Sequence, residues 1–463
     1  MPVAALTTLG CKVNQYETEK IAEDFARAGF TLADFDAPAD VYVINSCSVT
    51  AAADKKSRYL ARKAGRTNPD ALVVMTGCHA QMVLDAGENV EGATLLVPNH
   101  EKTDTFGHVV RARPDVLSYS SSPASVLPSS PRAGGRTRAT LKVQDGCEHF
   151  CGFCSIPYTR KVLASRPFDE VVDEARRLGE SGAREIVVTG ICVGAYNEVT
   201  GSGGPDLADL LLAVADQPGV ARVRLSSIQP IEVSDALINA FASHPNLCPH
   251  LHLSCQSGDD AVLQRMNRPY DTAFFLDLAR RLRARVPDLA ITTDLIVGYP
   301  GETRAEHENT LRFAQAVAFQ KTHVFRYSPR PRTHAETLPD DVPDEEKKRR
   351  HAELQTVVDA TNRAFTERTI GETLPVLVEG GTSAASGEGA AGMVSGHTPN
   401  YITVRFAGPR ALRGQIVPVR LTHVSDSGDA AGELALTSAQ LAARLEAAPA
   451  QPADFLPLVM AAA

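Results

Sequence analysis

No apolar run in the 463-residue chain reaches the length of a bilayer-spanning helix, so no membrane partner is expected. Its first residues, Met-Pro-Val-Ala-Ala, lack the basic flank that opens a secretory signal. Positive charge is in deficit: 47 Lys and Arg against 55 Asp and Glu leave a formal net charge of −8. The overall field therefore offers no nonspecific hold on nucleic acid, and any RNA contact must come from local basic faces. Nine cysteines in so long a chain do not make a disulfide framework. Clustered thiolates require a reducing compartment, so the cytoplasm is the expected location. The length predicts two to four domains with ample buried core.

What is present is concentrated in those cysteines. The run Cys147-Glu148-His149-Phe150-Cys151-Gly152-Phe153-Cys154 spaces three thiolates as C-x3-C-x2-C just after a strand-like stretch, Ala139 to Gln144. A four-iron cubane held by three thiolates keeps one iron free of protein ligands. S-adenosylmethionine can chelate that iron and be cleaved by one electron to a carbon radical. Zinc is the alternative, but a structural zinc site is four-coordinate, and no fourth Cys or His stands nearby at a usual spacing. His149 lies within the loop and is expected to pack or to face solvent.

Cys11, Cys47 and Cys78 share another context. Each follows a short run rich in Val, Ile and Leu (Val3–Leu9, Val41–Ile44, Ala71–Met75), and helix-like stretches such as Tyr16 to Ala28 come next. Alternating strands and helices predict a doubly wound parallel sheet, whose carboxyl-end loops converge on one crevice. Three cysteines distant in sequence can then meet as a second three-thiolate set. A lone free cysteine is more often a small buried hydrophobe, and Cys192, Cys248 and Cys255 are read that way.

Composition divides the rest. Residues 1–112 form the amino-terminal domain, and 113–135, rich in Ser, Pro, Ala and Arg, are a linker. Residues 136–365 resume the alternation with six strands, predicting a partial, laterally open (β/α)6 barrel with chemistry at the carboxyl ends of its strands. Residues 366–428 switch to short alternating runs split by Gly, Pro and Asn, predicting a small antiparallel β-barrel. Residues 429–463 are an Ala-rich tail with one helix predicted near Ser438 to Glu446.

Gly-Cys-Lys-Val-Asn-Gln-Tyr-Glu-Thr-Glu at Gly10 to Glu19, Asn-Ser-Cys-Ser-Val-Thr at Asn45 to Thr50, Thr-Gly-Cys at Thr76 to Cys78 and the motif from Gly146 to Tyr158 resemble the radical-SAM methylthiotransferases. The resemblance spans roughly Pro2 to Val424. Its first motif looks like the branch acting on N6-threonylcarbamoyladenosine. The isopentenyladenosine branch usually has Gly-Cys-Gln-Met-Asn there, and the branch modifying a ribosomal-protein aspartate has Gly-Cys-Pro-Lys-Asn.

The resemblance implies transfer of a methylthio group to C2 of N6-threonylcarbamoyladenosine in the anticodon loop of tRNA. It implies S-adenosylmethionine and two 4Fe-4S clusters, one on Cys147, Cys151 and Cys154 and an auxiliary one on Cys11, Cys47 and Cys78. A low-potential donor such as flavodoxin or ferredoxin would supply electrons. The carboxy-terminal barrel resembles the TRAM module, expected to govern RNA affinity more than chemistry; a structural cap is the alternative. An iron–sulfur electron carrier and a silent RNA-binding scaffold remain the remote rivals.

Cofactor contacts are expected from Phe153, Thr189, Gly190, Arg224, Ser226, His252, Gln256 and Asp294. The chain has Gln229 where the family usually has Glu, Thr159-Arg160-Lys161 where Arg-Gly is frequent, and Arg332 and His334 where Gly and Pro are usual. Arg330 and Arg332 are candidate donors to the substrate's carboxylate.

Overall fold

The computed structural model describes residues 1–117, 137–197, 204–381 and 392–446. Most of the expected linker, 118–135, lies outside the described residues, as does the tail beyond 446. The architecture is α/β, with two parallel-sheet regions and a closed β-barrel at the carboxy-terminal end.

The amino-terminal sheet contains β1 (Val3–Thr8), β2 (Thr31–Ala33), β3 (Val41–Ser46), β4 (Leu72–Gly77) and β5 (Leu95–Leu96). It is parallel throughout, in the order β2-β1-β3-β4-β5. Every residue of β3 and β4 is buried, because apolar layers cover both faces of the sheet. The winding direction reverses between β1 and β3, and a crevice opens beyond the carboxyl ends of the strands at such a point. Helices α1 (Lys12–Arg27), α2 (Ala51–Thr67) and α3 (Cys78–Asp85) leave from those ends. Two tight turns depend on glycine. Gly10 (φ 89°) would place a Cβ 2.5 Å from the Cys47 sulfur, and a Cβ on Gly77 (φ 94°) would strike the Ser46 carbonyl.

The central region carries β6 (Arg138–Lys142), the short antiparallel pair β7 (Gln144–Asp145) and β8 (Ala164–Ser165), then β9 (Glu185–Thr189), β10 (Arg222–Leu225), β11 (Ser227–Ile228), β12 (His250–Leu253), β13 (Ala290–Val297) and β14 (Lys321–Arg326). Strands β6, β9 and β10 form one parallel sheet, and β11 to β14 form another. Only Ser226 separates β10 from β11, so the two sheets continue one curved wall. Among the described residues β6 and β14 do not pair, and helix α1 packs beside β6 on that open side.

The long helix Asp344–Glu367 leads to β15 (Thr373–Gly381), β16 (Gly392–His397), β17 (Thr403–Gly408), β18 (Ile416–Val424) and β19 (Ala430–Leu434). These close in the order β15-β16-β17-β19-β18. Four of the pairings are antiparallel, but β17 and β19 run parallel. Strand β19 lies beyond 428, in the stretch composition assigns to the tail. Its Ala-Ala-Gly-Glu-Leu lacks strand propensity, and pairing on both sides overrides that. Leu441 and Leu445 of the helix Ser438–Glu446 pack on the same barrel.

This barrel is seated on the central one. Arg222 donates to the carbonyl of His397 at 2.9 Å, and Arg224 donates to those of Pro399 (2.8 Å) and Thr398 (3.2 Å). Glu185 pairs with both guanidiniums from within the wall.

Candidate active site at the domain junction

The loop after β7 turns through Gly146 (φ 79°) and Phe150 (φ 47°) to present Cys147, Cys151 and Cys154, all partly exposed. Its backbone is fixed from outside. Gly152 N–H donates to Met266 O at 2.8 Å, and the Asn267 amide donates to the carbonyls of His149 and Phe150. Arg268 donates to Cys151 Sγ at 3.1 Å. Burial, with the neighbouring charges of Cys151 and Cys147, pushes the Cys154 thiol up to about 12. Such a group becomes a thiolate at neutral pH when it coordinates a metal centre, so this donor set fits an iron–sulfur cluster.

Cys11 and Cys78 sit at the amino-terminal ends of α1 and α3. Cys47 is buried beside them: burial raises its thiol to about 12, and the charges of Cys78 and Cys11 add to the rise. The two cysteine triads are tied together by one buried network. Glu17, on the helix that begins after Cys11, meets Lys102 at 2.5 Å, Lys142 at 2.7 Å and Arg160 at 2.8 Å. Arg160 follows the Cys147–Cys154 loop and also bonds Asp145 (2.6 Å) and Asn14 Oδ1 (2.7 Å). Asn14 in turn donates to the carbonyls of Leu9 and Ser46, which bracket the other cysteine turns. Burial works to raise the Glu17 carboxyl, but the three cations outweigh it and hold it well below the usual range.

The residues expected to contact cofactor divide into groups. Thr189 and Gly190 end β9 against Gln144, with the Thr189 carbonyl accepting from Val143 N–H at 2.9 Å. Phe153 packs against the buried cluster of Val262, Met266, Tyr299, Tyr327 and Ala335. Gln256 adopts φ 79° and pairs through its backbone with Asp294 O and Ile296 N–H, each at 2.8 Å.

Ser226, His252 and Asp294 line a chamber inside the barrel wall. His252 Nδ1 bonds Thr292 Oγ1 at 3.0 Å, and its Nε2 lies 3.3 Å from Asp294. Burial works to raise Asp294, but His252, His323 and Lys12 together hold it below the usual carboxylate range. Arg224 lines the same chamber but departs from expectation. Its guanidinium is engaged by Glu185 and two carbonyls and lies 4.9 Å from the ring of Tyr401, so its donors serve the seat of the second barrel.

Other expectations are also corrected. Arg330 is buried against Asp54, which His79 also contacts at 3.1 Å, and Arg332 pairs with Asp85 at 2.6 Å. Both arginines pair with the amino-terminal domain: Arg330 is buried in its pair and is not free to meet a substrate carboxylate, whereas Arg332 stays exposed. His149 and Cys192 are neither solvent-facing nor merely packed: both reach Glu232, at 2.9 and 2.8 Å. The ligand atoms of Cys147, His149 and Cys192 lie within 4.8 Å of one another. Glu232, three residues past the substituted Gln229, supplies a carboxylate that sequence motifs did not reveal. The chamber residues Lys12, His250, Thr292, Lys321, His323 and Tyr401 were likewise missed. For the four on strands the signal was polar residues at alternate positions, as in His250-x-His252, Thr292-x-Asp294 and Lys321-x-His323, whereas Lys12 and Tyr401 lie outside strands.

Comparison with known proteins places this geometry. Residues 141–314 match the Radical SAM superfamily, and residues 4–95 match Uncharacterized protein family UPF0004. The chain is 37% identical over 433 residues to the threonylcarbamoyladenosine tRNA methylthiotransferase MtaB of Bacillus subtilis, covering 91% of this chain and 94% of that protein. It is 36% identical to MtaB of Thermotoga maritima, covering 92% and 96%. It is also 37% identical to the tRNA-2-methylthio-N(6)-dimethylallyladenosine synthase of Alkalilimnicola ehrlichii, covering 90% and 94%. Among solved structures, the radical S-adenosylmethionine methyltransferase TsrM of Kitasatospora setae overlaps 72% of this chain and 77% of its own, with a TM-score of 0.49 at 14% identity. That last likeness is too distant to bear on function.

Proposed function

The chain belongs to the radical-SAM tRNA methylthiotransferase family, and from that premise we propose that it transfers a methylthio group to C2 of N6-threonylcarbamoyladenosine beside the anticodon of tRNA. The observation carrying this reading is the likeness to the MtaB proteins of Bacillus subtilis and Thermotoga maritima over 91% and 92% of the chain, and the buried Glu17–Arg160 network, which ties one cysteine triad to the other, suits it. S-adenosylmethionine and a 4Fe-4S cluster are the cofactors of the Radical SAM superfamily to which the central domain belongs. Cys147, Cys151 and Cys154 would hold that cluster, and Cys11, Cys47 and Cys78 a second. Together these groups supply a carbon radical and sulfur, because no side-chain base removes a C2 proton at neutral pH.

The protein's own part is placement. Arg268 sets a fixed cation beside Cys151, and Glu232 orients His149 and Cys192 next to Cys147. Thr189, Gly190, Phe153 and Gln256 would shape the cofactor's place at the strand ends. An unpaired anticodon-loop base can be splayed into the junction at lower cost than one in a duplex. A low-potential flavodoxin or ferredoxin would deliver electrons, in the cytoplasm. Among the described residues no helix is long and apolar enough to cross a membrane.

Overall identity does not separate the branches, since relatives named for both substrates match at 36–37%. Deleting the gene and digesting total tRNA for nucleoside mass spectrometry tests the reading. Loss of the 2-methylthio derivative of N6-threonylcarbamoyladenosine, with its precursor accumulating, is expected. Loss of the isopentenyl product instead would move the chain to the sister branch.

A further inference from the structure

Inside the central barrel, between β6, β10, β12, β13 and β14, lies a chamber of about 190 Å³. Lys12, the residue after Cys11, reaches it from the amino-terminal domain, and Tyr401 closes it from the carboxy-terminal barrel. The Tyr401 ring stacks between His250 (4.5 Å) and His397 (4.8 Å). A drug-sized ligand usually takes about 300 Å³ or more, so the chamber suits a substituent of about ten non-hydrogen atoms rather than a whole nucleoside.

The wall is cationic, and its charges differ in availability. Arg138 is matched by Glu379 at 2.9 Å, and Arg224 by Glu185 at 2.9 Å. Lys12 and Lys321 have no side-chain hydrogen bond or salt bridge among the described residues. Among the described residues the one carboxylate in the wall, Asp294, faces His252. The charge of Lys12 is felt across the chamber. His250 is held below its usual value by burial first, then by Arg224, His252 and Lys12, and Lys12 also helps to lower Tyr401. Among the described residues two buried polar atoms, Ser226 Oγ and His250 Nδ1, have no hydrogen-bond partner, and His252 Nε2 has only the Asp294 carboxylate at 3.3 Å. An apolar occupant would leave all of these groups unsatisfied, whereas a short hydroxylated carboxylate would answer them.

We propose that this chamber receives the threonylcarbamoyl substituent of the substrate, with its carboxylate against Lys12 and Lys321 and its hydroxyl toward Ser226 and His252. Lys12 and Lys321 are thereby the specificity-determining cations of the site. The assignment rests on the substrate reading above and adds where and how the substituent is recognised.

The test uses reconstituted full-length enzyme and a synthetic anticodon stem-loop carrying N6-threonylcarbamoyladenosine, beside the same RNA with that carboxylate as its methyl ester. Product is quantified by mass spectrometry to give kcat and KM for each RNA, and iron content checks folding. Wild type should prefer the acid. Lys321→Met should raise KM for the acid about 10–100-fold, the loss expected for a charge-assisted contact, with a smaller change in kcat. It should also erase the preference over the ester, and Lys321→Arg should restore it. Lys12→Met is the second variant and should act in the same direction. Variants that keep the wild-type preference overturn the proposal, as does a change confined to KM for S-adenosylmethionine. If wild type thiolates isopentenyladenosine RNA and neither of these, the substrate reading itself falls, and the assignment with it.

Discussion

Replacing Glu185 with Gln should unseat the carboxy-terminal barrel. Glu185 is fully buried, pairs with Arg222 and Arg224, and is held at about 2 by the arginine charges against the opposing effect of burial. A carboxyl held at about 2 in place of 4.5 contributes about 3 kcal/mol at neutral pH. Removing one partner of a buried pair typically costs about 3–5 kcal/mol. Here the lower figure applies, because Arg222 and Arg224 keep their backbone carbonyl acceptors on the second barrel. For a domain of this size, about 3 kcal/mol corresponds to a fall of roughly 6–12 °C in Tm.

The assay is anaerobic calorimetry of reconstituted protein, with hydrogen exchange read at His397–Tyr401, where protection should drop. The pH dependence has a definite sign. A depressed carboxyl stabilises fully above its unfolded value and loses that contribution as pH falls through its folded one. The gap between wild type and Glu185→Gln should therefore be widest near pH 7 and narrow below about 4.5. An unchanged Tm with unchanged protection at Tyr401 would refute the reasoning.

Changing Cys147, Cys151 and Cys154 to Ala should remove roughly half the iron and all 5′-deoxyadenosine production, whereas changing Cys11, Cys47 and Cys78 should remove the other half and abolish thiolation. Fully reconstituted wild type holding only one cluster's iron would refute the two-cluster reading. Glu17→Gln should leave Lys102, Lys142 and Arg160 without the charge that Glu17 supplies and destabilise the junction by about 3–5 kcal/mol at neutral pH, read as faster proteolysis between the first two domains; wild-type resistance would show the network to be dispensable. Truncation after Arg368 should weaken RNA binding and flatten its salt dependence by about 0.7–0.9 log units for each phosphate no longer neutralised. Because it also removes Tyr401 from the chamber, it should lower the Tm of the central barrel, and a wild-type Tm would refute the seating.

Local pattern in the sequence determined the cysteine spacings, the strand–helix alternation and the change of period near residue 370. These features are encoded within a few residues of one another: thiolate spacing within a loop, apolar runs that must be covered on both faces, Gly at turns that need positive φ. The alternating polar residues of β12, β13 and β14 were equally visible as a pattern, but no local signal says which face of a strand looks into the barrel. That depends on how the sheet closes.

Only the tertiary structure brought Lys12, Lys321 and Tyr401, from three domains, to one chamber. Only it showed that Arg224, Arg330 and Arg332 are already neutralised by Glu185, Asp54 and Asp85. A charged side chain's role depends on which opposite charge it meets, and those partners lie 39, 276 and 247 residues away. Residue type and spacing fix what chemistry a chain can hold, while long-range pairing decides which of its charges remain available to a substrate.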